Sequence, residues 1–159
     1  MSKGKVVKNY IYNTAYQILL VLTPLITSPY LARTLKATSV GIFNYSYSVV
    51  AYFVLFGTLG SALFAQREIA FYQENPEKRS KIFGEIVILR MFTVVITIGI
   101  YLIFAFSVRR YQTVFLILVT ELISTAFDIT WFFQGMEDFG KIVIRNTIFK
   151  IVGIVLIFI

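Results

Sequence analysis

Two acidic residues, Glu121 and Asp128, stand in a stretch of sequence that is otherwise apolar enough to lie inside a bilayer. They are seven residues apart, so a continuous α-helix would place both on nearly the same face, with Ser124, Thr125 and Trp131 on or beside that line. A carboxyl group that faces lipid costs at least a few kcal/mol. We therefore expect this face to meet protein or a water-filled cavity, which makes it a candidate functional site.

The composition of the chain indicates a membrane protein. Of its 159 residues, 58% are hydrophobic and 17% aromatic, and its few charges are grouped in short clusters. Residues 9–32 and 37–66 are uncharged blocks, each longer than the roughly 20 residues that a helix needs to cross the hydrocarbon. We interpret the first block as a retained span, because it is too long for a secretory signal and lacks a small-residue cleavage site before its end.

Two classes of function are excluded by residue content and distribution. The net charge is +7, but the basic residues lie in the gaps between apolar blocks and form no stripe or motif that would bind nucleic acid. Cysteine and histidine are both absent, so a disulfide framework and the usual thiolate or imidazole metal sites are impossible. We expect no metal and no cofactor.

The apolar blocks predict an all-α fold, a polytopic bundle of membrane helices. Between them lie the polar segments 32–40, 66–81 and 134–141, which are expected to be loops or short interfacial helices. The chain ends inside its last span or barely across it, so we expect it to be the N-terminal region of a longer transporter. The predicted spans are four complete ones at about 10–31, 41–65, 82–106 and 111–133, and a fifth at about 142–159.

The distribution of lysine and arginine predicts the orientation in the membrane. If the N-terminus is cytoplasmic, the outer side carries only Arg33, Lys36, Arg109 and Arg110, and all other basic residues lie on the inner side. This bias follows the positive-inside rule, so we predict a cytoplasmic N-terminus. Trp131, at the end of the fourth span, would lie in the aromatic belt at the headgroup level.

Polar residues inside the first two spans leave two interpretations open. Asn13 and Gln17 are one turn apart in the first span, which contains Pro24 and Pro29 and is expected to be bent. These side chains either line a polar cavity or only join helices by hydrogen bonds. In the second span, Asn44 shares a face with Ser48 and Tyr52, and the pair Gly57 and Ser61 is typical of close helix packing.

Charged residues inside the later spans also allow alternatives. Arg90 either extends to the nearer membrane interface or points inward as a contact for an anion. Asp128 either takes part in transport or forms a structural salt bridge, with Arg90 or Lys150 as its partner.

Three stretches of the chain resemble a known family. They read TPLITSPYLARTLKATSVGIFNYSYSVVAYFVLFGTLGS, QREIA and DITWFFQGMEDFGKIVIRN. Together they are similar to bacterial oligosaccharide flippases of the Wzx or RfbX type, within the multidrug, oligosaccharidyl-lipid and polysaccharide exporter superfamily. Lys36 departs from the pattern, since the family has glycine after Arg-x-Leu.

The resemblance implies a non-enzymatic transporter of two six-helix lobes, of which this chain supplies most of the first. Such a flippase moves undecaprenyl-pyrophosphate-linked oligosaccharide across the bacterial cytoplasmic membrane by alternating access, and other polysaccharide-assembly membrane proteins are candidate partners. Asp128, with Glu121, is the candidate for coupling to H⁺ or Na⁺. The candidates for binding substrate are the cationic Arg33, Arg90 and Lys150 and the polar Asn13, Gln17, Asn44 and Tyr52.

Other functions remain as alternatives to the flippase. A cation-coupled multidrug exporter of the same superfamily would have a more apolar cavity. A membrane enzyme of the polysaccharide pathway, such as a glycosyltransferase, would carry an acidic metal-binding loop of the Asp-x-Asp kind, which the polar segments lack. A small helical subunit that only packs against a partner is the fourth possibility.

Overall fold

The computed structural model describes the backbone of residues 3–158 and the side chains of residues 10, 11 and 14–157. Every regular element in this part of the chain is helical, which confirms the predicted all-α class. The elements are α1 (Lys3–Thr58), α2 (Ser61–Phe71), α3 (Pro76–Ser107), a 3₁₀ turn (Arg109–Tyr111), α4 (Gln112–Ala126), α5 (Thr130–Gly135) and α6 (Phe139–Phe158).

Among the residues that the structure describes, three helical stretches are long and apolar enough to cross a membrane. They are Thr14–Thr58, Pro76–Ser107 and Arg109–Gly135. The chain is therefore a membrane protein with several helical spans, as its composition predicts, and the number of five spans stays a prediction.

The chain divides into two compact units. Residues 38–136 form one, which we call the middle unit, and residues 1–37 together with 137–159 form the other, which we call the terminal unit. The middle unit contains α2, α3, α4 and α5 and the last part of α1, whereas α6 belongs to the terminal unit.

Helix α3 is the centre of the middle unit, because its two halves pack against different helices. Its C-terminal half contributes Tyr101 and Ala105 to a cluster with Val50 of α1 and Phe115 of α4. Its N-terminal half contributes Ile86 to a second cluster, whose other buried members are Ala65 and Ile69 of α2 and Trp131 of α5. Arg90 therefore lies on α3 between two apolar clusters.

The start of α3 follows from its first residues. The Asn75 side chain accepts a hydrogen bond from the Lys78 main-chain N–H (3.1 Å), and Pro76 occupies the first turn. An asparagine cap followed by proline is a strong start signal for a helix. The asparagine side chain accepts a hydrogen bond from an otherwise unpaired N–H group, and proline has a helical φ and no N–H of its own to leave unpaired. Pro76 begins the helix here, so the polar segment predicted at 66–81 is mostly helical, with its loop confined to the residues between α2 and α3.

Two further boundaries differ from the prediction. The loop expected at 32–40 is reduced to a kink at Lys36 (φ 64°, ψ 155°), where two helices meet within α1. The predicted span 41–65 is interrupted after Thr58 by Leu59 (φ 46°) and Gly60 (φ 66°), both left-handed. Glycine adopts that conformation without steric cost. A short uncharged turn therefore separates α1 from α2, although the hydropathy of this block predicts one continuous span. Pro24 and Pro29 lie within α1, and a bend at these prolines stays a prediction.

Gly57 allows a close contact between α1 and α3. A Cβ atom at this position would lie 3.4 Å from Thr97 Oγ1, and the Gly57 carbonyl accepts a hydrogen bond from Thr93 Oγ1 (2.7 Å). The predicted packing role of Gly57 is confirmed. Ser61, its expected companion on the same helix, instead begins α2.

Lys36→Gly is expected to stabilise the chain by about 1 kcal/mol. The backbone angles of Lys36 lie in a region that is open almost only to glycine and that costs other residues about 1–3 kcal/mol, which exceeds the entropy that glycine gains in the unfolded chain. Thermal unfolding in detergent measures the change. Ala32→Gly, at an exposed helical position nearby, should instead destabilise by about 1 kcal/mol; a loss of stability in both variants would contradict the strain at Lys36.

Candidate functional site

Among the described side chains, Arg90 is the most deeply buried cation. Its exposed fraction is 4%, and its Nη1 donates a hydrogen bond to the main-chain carbonyl oxygen of Asp128 at 2.6 Å. The side chain thus turns inward, toward the connection between α4 and α5, and does not extend to a membrane interface. A charged arginine in apolar surroundings is stable only where its donors and its charge are compensated.

Asp128 lies in that connection, two residues before α5 begins. Its Oδ1 accepts hydrogen bonds from the Thr130 main-chain N–H (3.1 Å) and from Thr130 Oγ1. At the end of α4, the Phe127 N–H donates to the Ser124 carbonyl oxygen and the Asp128 N–H donates to the Thr125 carbonyl oxygen. Each bond spans three residues, so α4 ends with a tight last turn. Aspartate side chains compete for backbone N–H groups in this way and favour helix ends over helix interiors.

The prediction of one continuous helix through Glu121 and Asp128 is therefore wrong. Glu121 is on α4 and exposed, whereas Asp128 is half-buried in the break after α4. The heptad-like spacing has no meaning across a break, because the helical periodicity that would align the two residues stops at Ala126. Ser124 remains beside Glu121 on the exposed face of α4.

Trp131 lies in the interior and not in an aromatic belt. It is 2% exposed, and its ring centroid is 5.5 Å from that of Phe83 on α3. The prediction of an interfacial tryptophan is wrong, because the break at Asp128 redirects α5 so that it packs on α2 and α3. This packing holds the α4 to α5 connection against α3 at the level of Arg90.

The electrostatics of the site centre on the same two residues. The Asp128 carboxylate attracts the Arg90 guanidinium, and the guanidinium also donates a hydrogen bond to the Asp128 main-chain carbonyl. Arg90 Nε and Trp131 Nε1 are buried and have no hydrogen-bond partner among the described residues.

The other candidates in the middle unit do not join this pair. Asn44 and Tyr52 lie with Ser48 on an exposed face of α1, where Ser48 Oγ donates to the Asn44 carbonyl (2.8 Å). They form a polar stripe on the surface of the middle unit. The structure thus brings Arg90 and Asp128 together and leaves Asn44, Tyr52 and Glu121 on exposed helix faces.

The remaining candidates belong to the terminal unit. Gln17 and Arg33 are exposed on α1, and Lys150 is half-buried on α6. The side chain of Asn13 lies outside the described residues. A pairing of Asp128 with Lys150 stays an alternative from the sequence, and within the middle unit the Asp128 carbonyl contacts Arg90.

Within the described part of the chain, no group of three or more His, Cys, Asp or Glu residues is placed to hold a metal ion.

Sequence reasoning missed a second set of contacts near the end of α5. Gln73 Nε2 donates to the Met136 carbonyl (3.0 Å), and Arg79 Nη1 donates to the Gln73 carbonyl (2.9 Å) and contacts Met136 Sδ (3.6 Å). Gly135 lies against the backbone of α2, because a Cβ there would be 2.8 Å from the Gln66 carbonyl oxygen. The one available signal was the glycine in an otherwise bulky run, WFFQGM.

Comparison with known proteins gives the family of this chain. The sequence model of the family described as "Polysaccharide biosynthesis protein" matches residues 6–159. The chain belongs to this family. The resemblance found in the sequence is thereby confirmed, and the Arg90 and Asp128 pair lies within the matched region of this polysaccharide biosynthesis family member.

Two curated relatives are similar to this family member over most of its length. It is 28% identical over 155 residues to a protein of Escherichia coli (strain K12) named "Putative O-antigen transporter". This alignment covers 96% of this chain and 37% of the relative. It is also 28% identical over 140 residues to a protein of the same name from Shigella dysenteriae, covering 87% of this chain and 35% of the relative. The chain thus spans about a third of the length of these relatives. No solved structure matches it significantly.

Proposed function

We propose that this chain is part of a transporter that moves undecaprenyl-pyrophosphate-linked oligosaccharide from the inner to the outer leaflet of the bacterial cytoplasmic membrane, for surface polysaccharide synthesis. Family membership, the transporter names of the two relatives and the apolar helices support this proposal. The observation that carries the mechanism is the buried Arg90 bound to Asp128 at a break in an apolar helical stretch.

A flippase breaks no covalent bond, so its task is to shield a polar head while the lipid tail stays in the bilayer. This requires a hydrated crevice with cations for the pyrophosphate and hydrogen-bonding groups for the sugars, opening to each side in turn. Broken helices at the depth of the bilayer are typical of such crevices, because their unpaired backbone groups are tolerated only next to protein or water. The break at 127–129 has this character.

We assign the coupling role to Asp128, with Glu121 as a second candidate on α4. Protonation or cation binding at Asp128 would weaken its attraction for Arg90, which would loosen the hold of α3 on the α4 to α5 connection. Arg33, Arg90 and Lys150 remain the candidates for the pyrophosphate. The candidates for the sugars are Asn13, Gln17, Asn44 and Tyr52.

Asp128→Asn is expected to reduce transport about fivefold or more. A fivefold change corresponds to the lower end of the usual coupling free energies between sites, about 1 kcal/mol. The asparagine side chain has the same size as aspartate, and the substitution leaves the main-chain carbonyl that Arg90 binds. The side-chain amide, however, cannot take up a proton or carry the negative charge. Surface glycan is measured in a flippase-deficient strain that expresses a full-length family member carrying these residues, with protein level measured in parallel. Asp138→Asn is the matched control, since Asp138 forms a partly exposed ion pair with Lys141 and should leave transport unchanged.

The same assay separates the alternatives. If surface glycan and protein level fall equally in Asp128→Asn, Asp128 has only the structural role of a salt bridge. If the full-length protein confers resistance to cationic drugs but restores no surface glycan, the drug-exporter alternative is correct. Expressed alone, the 159 residues are expected to restore no glycan, because alternating access needs two lobes.

We further propose a cytoplasmic N-terminus and residence in the inner membrane. The positive-inside bias of the loops supports this orientation. Labelling of a single cysteine placed at Arg110 in intact cells by a membrane-impermeant reagent tests it, and labelling only after the membrane is opened would reverse the orientation.

A further inference from the structure

An open groove runs between the part of α1 near Ile42 and the beginning of α4. Its apolar part has a volume of about 380 Å³ and is lined by Ile42, Val114 and Leu118 among others. It adjoins, through the shared Ile42, a second part of about 360 Å³ that is lined by Thr38, Tyr45 and Tyr111. One end of the groove is thus apolar and the other carries hydroxyl groups.

Two arginines stand at the hydroxyl-bearing end. Arg109 and Arg110 are exposed in the 3₁₀ turn that contains Tyr111, and the Arg110 guanidinium lies 5.5 Å from the centroid of the Tyr111 ring. Neither arginine takes part in an ion pair within the described part of the chain. The segments that line the groove and its end, residues 38–45 and 109–118, contain no acidic residue. This end of the groove is therefore uniformly positive.

The distance between the two ends suits a lipid. The arginines stand where the apolar stretch Arg109–Gly135 begins, and arginines at the end of a span are expected to reach the membrane interface. Leu118 is eight residues beyond Arg110, so at 1.5 Å per helical residue it lies about 12 Å deeper. Phe43 and Ile117 on the rim of the apolar part are 51% and 65% exposed, and in a membrane they meet hydrocarbon.

We propose that this groove binds one anionic membrane phospholipid. Its phosphate would contact Arg109 and Arg110 with the Tyr45 and Tyr111 hydroxyls beside it, and one acyl chain would lie along Ile42, Val114 and Leu118. Charge complementarity selects an anionic headgroup over a zwitterionic one, because each arginine near the membrane surface contributes roughly fivefold to the affinity for anionic lipid. This site is separate from the Arg90 and Asp128 pair and does not depend on the proposed transport.

Native mass spectrometry of the purified 159-residue chain tests the proposal. The chain is released from detergent micelles that contain equal amounts of phosphatidylglycerol and phosphatidylcholine. We expect a one-to-one adduct with phosphatidylglycerol at least about fivefold above that with phosphatidylcholine. The double variant Arg109→Gln with Arg110→Gln should abolish this preference, whereas Arg67→Gln with Lys78→Gln, which removes two exposed cations elsewhere in the middle unit, should retain it.

A second variant tests the apolar part. Val114→Phe fills the groove and should reduce the adducts of both lipids, whereas Val95→Phe, at a position that is 66% exposed and outside the groove, should not. The emission of the single tryptophan, Trp131, reports whether each variant is folded. If Val114→Phe does not fold, the variants of the exposed arginines still test the proposal.

Three results would overturn the proposal. The first is equal retention of the two phospholipids by the unmodified chain, and the second is a preference that survives loss of both arginines. The third is occupation by something else, seen either as a dimer without lipid or as displacement of phosphatidylglycerol by an equal amount of a polyprenyl pyrophosphate.

Discussion

Arg90→Met should destabilise the middle unit by about 3–5 kcal/mol, the usual result of removing one member of a buried charged pair. Methionine fills a similar volume but offers no donor to the Asp128 carbonyl, which Arg90 binds at 2.6 Å. It also removes the positive charge that balances the Asp128 carboxylate. Because α5 follows directly, the loss should appear as undocking of Trp131 from Phe83.

Detergent unfolding followed by the emission of Trp131 measures this loss, since Trp131 is the single tryptophan and is 2% exposed. Arg67→Met is the matched control, because Arg67 is exposed on α2 and should change stability by no more than about 0.5 kcal/mol. Similar shifts in the two variants would show that Arg90 does not hold the helix break.

Two further variants separate charge from geometry at this position. Arg90→Lys keeps the charge but loses the planar fork of donors, so we expect an intermediate loss. Asp128→Asn retains the carbonyl that Arg90 binds, so it should cost less stability than Arg90→Met. A larger loss in Asp128→Asn would mean that the carboxylate, and not the carbonyl, carries the contact.

Gly135→Ala should destabilise the same unit by about 1–3 kcal/mol, the usual range for overpacking. The added Cβ would lie 2.8 Å from the Gln66 carbonyl oxygen and 2.8 Å from Ile69 Cβ. The first neighbour is backbone, and the second is the rigid base of a branched side chain, so neither can move without a shift of α2 or α5. The expected result is a lower unfolding midpoint together with red-shifted Trp131 emission.

Gly99→Ala is the matched control for this prediction. Gly99 is exposed within α3, and a Cβ there would meet no atom within 4 Å. Alanine is the better helix former, so this variant should be neutral or up to about 1 kcal/mol more stable. If Gly135→Ala were as harmless as Gly99→Ala, the close approach of α5 to α2 would be wrong.

Hydropathy predicted the elements that depend only on local composition. The long apolar blocks, free of charge over residues 9–32 and 37–66, predicted membrane helices correctly, since a backbone in lipid must satisfy its own hydrogen bonds. The sequence also singled out Asp128 and Arg90 as ionisable residues in apolar surroundings and offered their pairing as one alternative. The structure brings the two residues together through the Asp128 main-chain carbonyl, and the salt bridge between their charged groups stays a prediction.

Boundaries and directions inside apolar blocks were less predictable. Hydropathy treats 111–133 as one span, because the break at 127–129 lies between apolar residues and adds only one charge. Whether Asp128 caps a new helix or stays inside the old one depends on whether Thr130 and Arg90 are in place to bond it. The position of Trp131 followed from that outcome, and so the predicted interfacial tryptophan was wrong.

The sequence by itself determined that this chain is helical and membrane-spanning and that it belongs among polysaccharide biosynthesis proteins, because these properties reside in composition, span length and local sequence. Only the tertiary structure decided which charges meet and where the helices stop. The physical reason is that a buried charge or an unpaired carbonyl takes whichever partner the packing brings within about 3 Å. For Asp128 that partner is Arg90, 38 residues away in the sequence, at a distance that no local pattern encodes.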